Sequence, residues 1–112
     1  MHRFKVYKRL SYVHASGLKQ LTLDSDFVIN IHTTAQFLKI NPNNQNRIVT
    51  LPSAHCSFGV FYVILNTSSN SYHLDIKDDL RNAVITLDKD TQSTFICDGS
   101  LWHSCGKISH VI

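Results

Sequence analysis

"RIVTLPSAHCSFGVFYVILNTSSNSYHLDIKD", Arg47 to Asp78, holds three apolar runs divided by two stretches of turn chemistry, and its reading decides the fold. Arg47–Leu51, Phe58–Leu65 and Tyr72–Lys77 have strand length and strand composition, with none of the apolar spacing that an amphipathic helix sustains over three turns. Between them lie "LPSAHCSFG" (51–59) and "NTSSNS" (66–71), rich in the Pro, Gly, Asn and Ser that close turns. The run "FGVFYVIL" (58–65) is apolar on both parities. It reads either as a central strand of the core or as a strand covered on both faces, with Phe58, Val60 and Tyr62 on one side and Phe61 and Val63 on the other and the core-facing side left open.

The same grammar extends in both directions. Leu21–Leu23, Val28–His32, Phe37–Ile40, Ala83–Leu87, Ser93–Cys97, Leu101–His103 and Ile108–Ile112 each show period-two alternation, and Phe4 and Val6 alternate with Lys5 and Tyr7. Ser16-Gly17, "NPNNQN" (41–46), "KDDLRN" (77–82), "DKDTQ" (88–92) and Asp98-Gly99 supply the breaks. Short strands at such regular intervals predict an all-β domain, a jelly-roll-like β-sandwich.

Composition agrees. Ile, Val and Thr fill 26 of 112 positions, Ala only four, and all eight acidic residues are Asp. That is a strand-former's alphabet, of a size for one domain. Charged residues make up 17%, against about a quarter in ordinary soluble domains, so the surface is either polar but uncharged or covered by a partner. The net charge of +3 is uneven: Arg3, Lys5, Lys8 and Arg9 all precede the first acid, Asp24. No signal-peptide core or membrane-length apolar run stands out, and three Cys are odd in number, so the expectation is a soluble protein made in the cytoplasm with reduced thiols and no membrane partner.

"FICDGSLWH" (95–103) offers Cys97, His103 and Cys105 as candidate ligands beside an Asp98-Gly99 turn. Read as a two-residue hairpin, it sets Cys97 opposite Ser100, Ile96 opposite Leu101 and Phe95 opposite Trp102, with Phe95, Cys97 and Trp102 on one face. Cys97 and Cys105 then lie beyond disulfide reach. His103 and Cys105 share a face, and His55-Cys56 could complete a set, but four zinc ligands in recognised spacing are missing. A structural hairpin built on Asp98, Gly99 and Trp102 is the reading. The pairs Asp78-Asp79 and Asp88/Asp90 sit in turns, no nucleophile signature accompanies the seven His, and no Gly-rich phosphate loop exists. The expectation is a protein that is not an enzyme, with no catalytic residue, cofactor or metal.

"MHRFKVYKR" has three readings: an ordinary first strand with a solvated basic face, an arm that adds as a strand to a partner's sheet edge through Phe4 and Val6, and a segment tracking single-stranded nucleic acid. The absence of a matching basic stripe elsewhere weighs against nucleic acid.

Taken with "AVITLDKDTQSTFICDGSLWH" (83–103), the opening stretch resembles a pattern in the head-decoration (capsid cement) proteins of tailed bacteriophages and related phage fibre modules. An Arg-led strand ends in Thr-Leu-Pro, a loop closes at Gly, an I-x-N-T turn and a K-D strand follow, and Asp-Gly and Trp finish. The matching positions are Arg47, Thr50, Leu51, Pro52, Gly59, Ile64, Asn66, Thr67, Ile76, Lys77, Asp78, Thr94, Asp98, Gly99 and Trp102, within residues 26–104. His55-Cys56 and the Cys-rich end depart from it. The resemblance implies a single β-sandwich (residues 15–112) preceded by an extended N-terminal arm (residues 1–14). It further implies a homotrimer or homodimer that binds the outside of an expanded phage head and bridges subunits of the major capsid protein. Arg3, Phe4, Lys5, Val6, Tyr7, Lys8 and Arg9 are then the expected capsid contacts. A tail-fibre or receptor-binding module is the alternative, and a single-stranded nucleic-acid-binding β-barrel stands behind both.

Overall fold

The computed structural model describes residues 17–110. The candidate arm, Arg3 to Arg9, lies outside the described residues.

Ten strands form two facing sheets: β1 (Leu18–Thr22), β2 (Phe27–Val28), β3 (Phe37–Asn41), β4 (Arg47–Thr50), β5 (Phe61–Asn66), β6 (Leu74–Lys77), β7 (Ala83–Leu87), β8 (Thr91–Cys97), β9 (Trp102–Ser104) and β10 (Ile108–Ser109). A single 3-10 turn, Ala54–Cys56, interrupts them. The six-stranded sheet runs β1-β3-β5-β8-β10, with β9 also on β8, and the four-stranded sheet runs β2-β4-β6-β7.

Two facing sheets are the expected β-sandwich class, but the chain takes a different route from a jelly roll. A jelly roll pairs its strands antiparallel through Greek keys. Here β1, β3 and β5 pair in parallel in one sheet and β2, β4 and β6 in parallel in the other. The first six strands therefore wind as a flattened coil, alternating between sheets, each strand resting on the one two places earlier. Parallel neighbours cannot be joined by a tight hairpin, so every turn-rich break up to residue 73 is a crossing between sheets. Only β7 to β10 close the stack with antiparallel partners.

Alternation puts one side chain in two between the sheets. Leu38, Ile40, Val49, Leu51, Tyr62, Ile64, Leu74, Ile76, Leu87 and Phe95 are fully buried there. In "FGVFYVIL" only the parity of Val60, Tyr62 and Ile64 is buried. Phe58, expected beside Val60 and Tyr62, lies in the turn before β5 and is 79% exposed, while Phe61, 43% exposed, and Val63 form the side turned away from the core. Val28–His32 also shortens, because Asn30 accepts the amides of Thr33 and Thr34 and turns the chain away.

The crossings are held by buried polar side chains. Asn66, fully buried at the end of β5, donates to the carbonyls of Leu87 (2.9 Å) and Tyr72 (3.0 Å) and accepts the Ser68 amide (2.8 Å). One side chain thus joins β5 of one sheet to β7 of the other. Arg47, nearly buried, donates from Nε to the Pro42 carbonyl (3.1 Å) and from Nη2 to Asn44 Oδ1 (3.0 Å) and the Leu23 carbonyl (3.4 Å). The preference for Asp over Glu has a local cause, since a short carboxylate reaches nearby amides. Asp78 accepts those of Leu80 and Asn82, and Asp26 that of Ile48.

Replacing Asn66 with Ala leaves two carbonyls and an amide without partners in a buried place, and we expect a loss of about 3 kcal/mol in chemical denaturation. Tyr62 is the opposite case. Its buried hydroxyl has no hydrogen-bond partner, and desolvation pushes its pKa up to about 12. Tyr62→Phe should leave the thermal midpoint unchanged or raise it, because an orphaned polar atom is removed at constant shape.

Candidate functional site: the outer face of the six-stranded sheet

Two regions stand out, a hairpin corner and a sheet face. At the corner, Ile96 pairs with His103 and Cys97 with Trp102, so the loop holds four residues, 98–101, where a two-residue turn was expected. The loop is closed by Asp98, whose Oδ1 accepts the amides of Ser100 and Leu101 (both 2.8 Å), while Gly99 adopts φ +96°. Because the shift in register is two residues, side chains keep their faces, and Phe95, Cys97 and Trp102 all point into the core as expected. Trp102 lies 5.9 Å from Tyr62, centroid to centroid, and its indole N–H donates to the Pro52 carbonyl (2.7 Å). Cys97 Sγ donates to the Ala54 carbonyl (3.2 Å). Hairpin and 51–60 loop are thereby locked together through Trp102 and Cys97.

His103 and Asp98 form a 2.7 Å pair on the surface. Their neighbour Ser104 shares its hydroxyl with Ser93 (2.8 Å) on the other side of β9, so no nucleophile joins the pair. The pair is a latch on the loop. Hydrogen bonding from His103, then from the Leu101 and Ser100 amides, holds the Asp98 carboxyl down at about 2. A shallow groove beside it is lined by Asp78, Asn82, Val84, Leu101 and Trp102, but the Asp78 carboxylate is spent on the amides of its own turn. Among the described residues, no three His, Cys, Asp or Glu side chains converge as metal ligands, and Cys56, Cys97 and Cys105 are free thiols.

The second region is the outer face of the six-stranded sheet, opposite the core. Its residues follow from register. Leu18, Phe37, Val63 and Thr94 make one row across β1, β3, β5 and β8. Phe61, Ile96 and His103 make the row nearer the hairpin. Gln20, Lys39, Leu65, Gln92 and Ile108 make the row on the other side. These three rows contain no carboxylate and one ammonium. Leu18 and Ile108 are 57% and 59% exposed, Phe61 and Ile96 about two-fifths, and Phe58 stands beyond the second row with its ring against Gly99. The other sheet's outer face is charged by comparison, carrying Asp75, which bonds Thr86, and Lys77.

Its apolar residues make this face the candidate contact surface. The two apolar parities of "FGVFYVIL" and the scarcity of charge pointed to a covered surface, and the register now shows that the parity of Phe61 and Val63 is the outer one.

No protein-family model, curated protein or solved structure matches the chain.

The lowered Asp98 carboxyl fixes a pH dependence. A carboxylate whose pKa falls on folding contributes stability that is complete above its ordinary value of 3.8 and lost as pH falls toward about 2. The gap in thermal midpoint between wild type and Asp98→Asn should therefore be constant above about pH 5 and shrink between pH 4 and 2. A gap that persists at pH 2 would assign the stabilisation to something other than the ionised carboxylate.

Proposed function

We propose that the protein is a non-catalytic decoration protein of a tailed-phage head, a homo-oligomer that binds the outer surface of the mature shell and bridges subunits of the major capsid protein. The observation that carries this reading is the largely apolar outer face of the six-stranded sheet, a surface suited to protein contact. The sequence resemblance supplies the setting, the virion. A ligand that binds only the expanded arrangement stabilises it by mass action, and bridging contacts add through multivalency. The basic, aromatic arm from Arg3 to Arg9 is assigned to capsid contact, by strand addition through Phe4 and Val6.

One observation favours a second reading. Parallel strands stacked turn on turn are how elongated β-coils are built, which suits a tail-fibre or receptor-binding module. Copy number separates the two: decoration gives hundreds of copies in a purified virion by quantitative mass spectrometry, a fibre module only a handful.

Deleting residues 1–9 should leave a folded oligomer that no longer occupies expanded heads in a co-sedimentation assay. Full occupancy by the truncated protein would remove the arm from the contact.

A further inference from the structure

We infer that the outer face of the six-stranded sheet is the self-association surface, packing against the same face of a second copy about a two-fold axis. This deepens the proposed function and rests on it for the expectation of a self partner; the choice of surface and the symmetry come from the fold.

The edges of the sheets are poorly suited to pairing with another copy. Among the described residues, β2 and β10 are two residues long, β7 meets β6 through a register shift between Ile76 and Lys77, and β1 carries Lys19. Lys19 pairs with the buried Leu38, so it points to the inner side of its sheet while remaining exposed. Short strands, bulges and inward charges are the devices that keep sheet edges from joining. Association is thereby directed to a face, and of the two outer faces that of the six-stranded sheet is the richer in exposed apolar side chains, with Leu18, Phe61, Ile96 and Ile108.

Size and chemistry then select the occupant. Six strands about 4.8 Å apart and about five residues long cover on the order of 400 Å² in plan. Side-chain relief carries the accessible area toward the roughly 800 Å² that each partner gives to a standard interface. Lys39 is the one ammonium in the three rows and the His103–Asp98 pair borders them at the hairpin end, so most of the face between them has nothing to complement a charged partner. An equally uncharged surface matches it, and the same face on another copy is one. Two sheets stacked face to face about 10 Å apart are an ordinary packing unit, here repeated between molecules. A two-fold axis near Phe61 and Ile96 places the most exposed aromatic rings at the centre and Lys39 toward the rim, where its ammonium stays in water.

The test is the mass of the full-length chain by sedimentation velocity over a wide concentration range. Wild type should form a dimer. Phe61→Asp should weaken it by roughly 30-fold or more, as loss of a central anchor does, and Ile96→Lys should do the same. Both side chains point outward, so circular dichroism and thermal melting should show a folded protein. Val28→Asp, on the exposed outer side of the four-stranded sheet, should leave the dimer intact. A monomeric wild type, a trimer, or a dimer indifferent to both substitutions would overturn the inference. Head binding is scored separately. A monomer that still fills expanded heads sinks self-association and leaves decoration standing, whereas a dimer broken by Phe61→Asp that never binds heads upholds the interface and sinks decoration.

Discussion

The Asn66 carboxamide, with one hydrogen bond across to β7 of the other sheet and two to the turn that leads there, stands for the constraint on which this fold depends. A chain that alternates between two sheets must turn at the end of nearly every strand, and each turn carries backbone groups past the edge of an apolar core. Left unpaired, each such group costs on the order of 1–3 kcal/mol. Asn66 satisfies three at once. Arg47 satisfies carbonyls at the Leu23 and Pro42 corners, and the Trp102 indole reaches the Pro52 carbonyl from the closing hairpin. The apolar core is continuous and undemanding by comparison. Its positions need only be apolar and of fitting size, whereas each polar fastener needs a particular donor in a particular place.

That distinction explains what the resemblance to phage head-decoration proteins consists of. Arg47, Pro52, Gly59, Asn66, Asp98, Gly99 and Trp102 carry the pattern, and each has a structural job. Gly59 stands at φ +75° while its amide donates to the Cys97 carbonyl, and the others are the fasteners and loop closures already described. The pattern is thus a description of how the chain crosses between sheets.

Strands were legible in the sequence because alternation is imposed by the pleat, and the inward parity of β3, β4, β5, β6 and β8 follows directly from it. The path between strands was not. Asn, Asp, Ser and Gly close a hairpin and a crossing between sheets equally well, so "NPNNQN" and "NTSSNS" fit either and the parallel winding stayed hidden. The hairpin at Asp98-Gly99 shows the same limit on a smaller scale. The dipeptide suits a two-residue turn, but the Asp98 carboxylate binds the amides of Ser100 and Leu101 and draws both into the loop. Faces survived the error because the register moved by two. Phe58 was misplaced for a related reason: hydrophobicity suggests burial, yet Gly59 turns the backbone and leaves the ring on the surface over Gly99.

Parity also separates folding from contact within single strands. On β5, Tyr62 and Ile64 are fully buried while Phe61 and Val63 face outward. On β8, Phe95 and Cys97 are buried while Ile96 and Thr94 face outward. The outward set can change without disturbing the core, since neither its packing nor the fasteners lie on that side. A folded but uncovered version of this face would be an aggregation hazard, so its apolar character is tolerable only where something covers it. The blunted edges bear on the same point. They remove one route to uncontrolled association and leave the sheet surface, where contact is limited in area and can close on itself. Scarce charge, apolar outer rows and short or irregular edges thus occur together on strands whose inward parity alone builds the core.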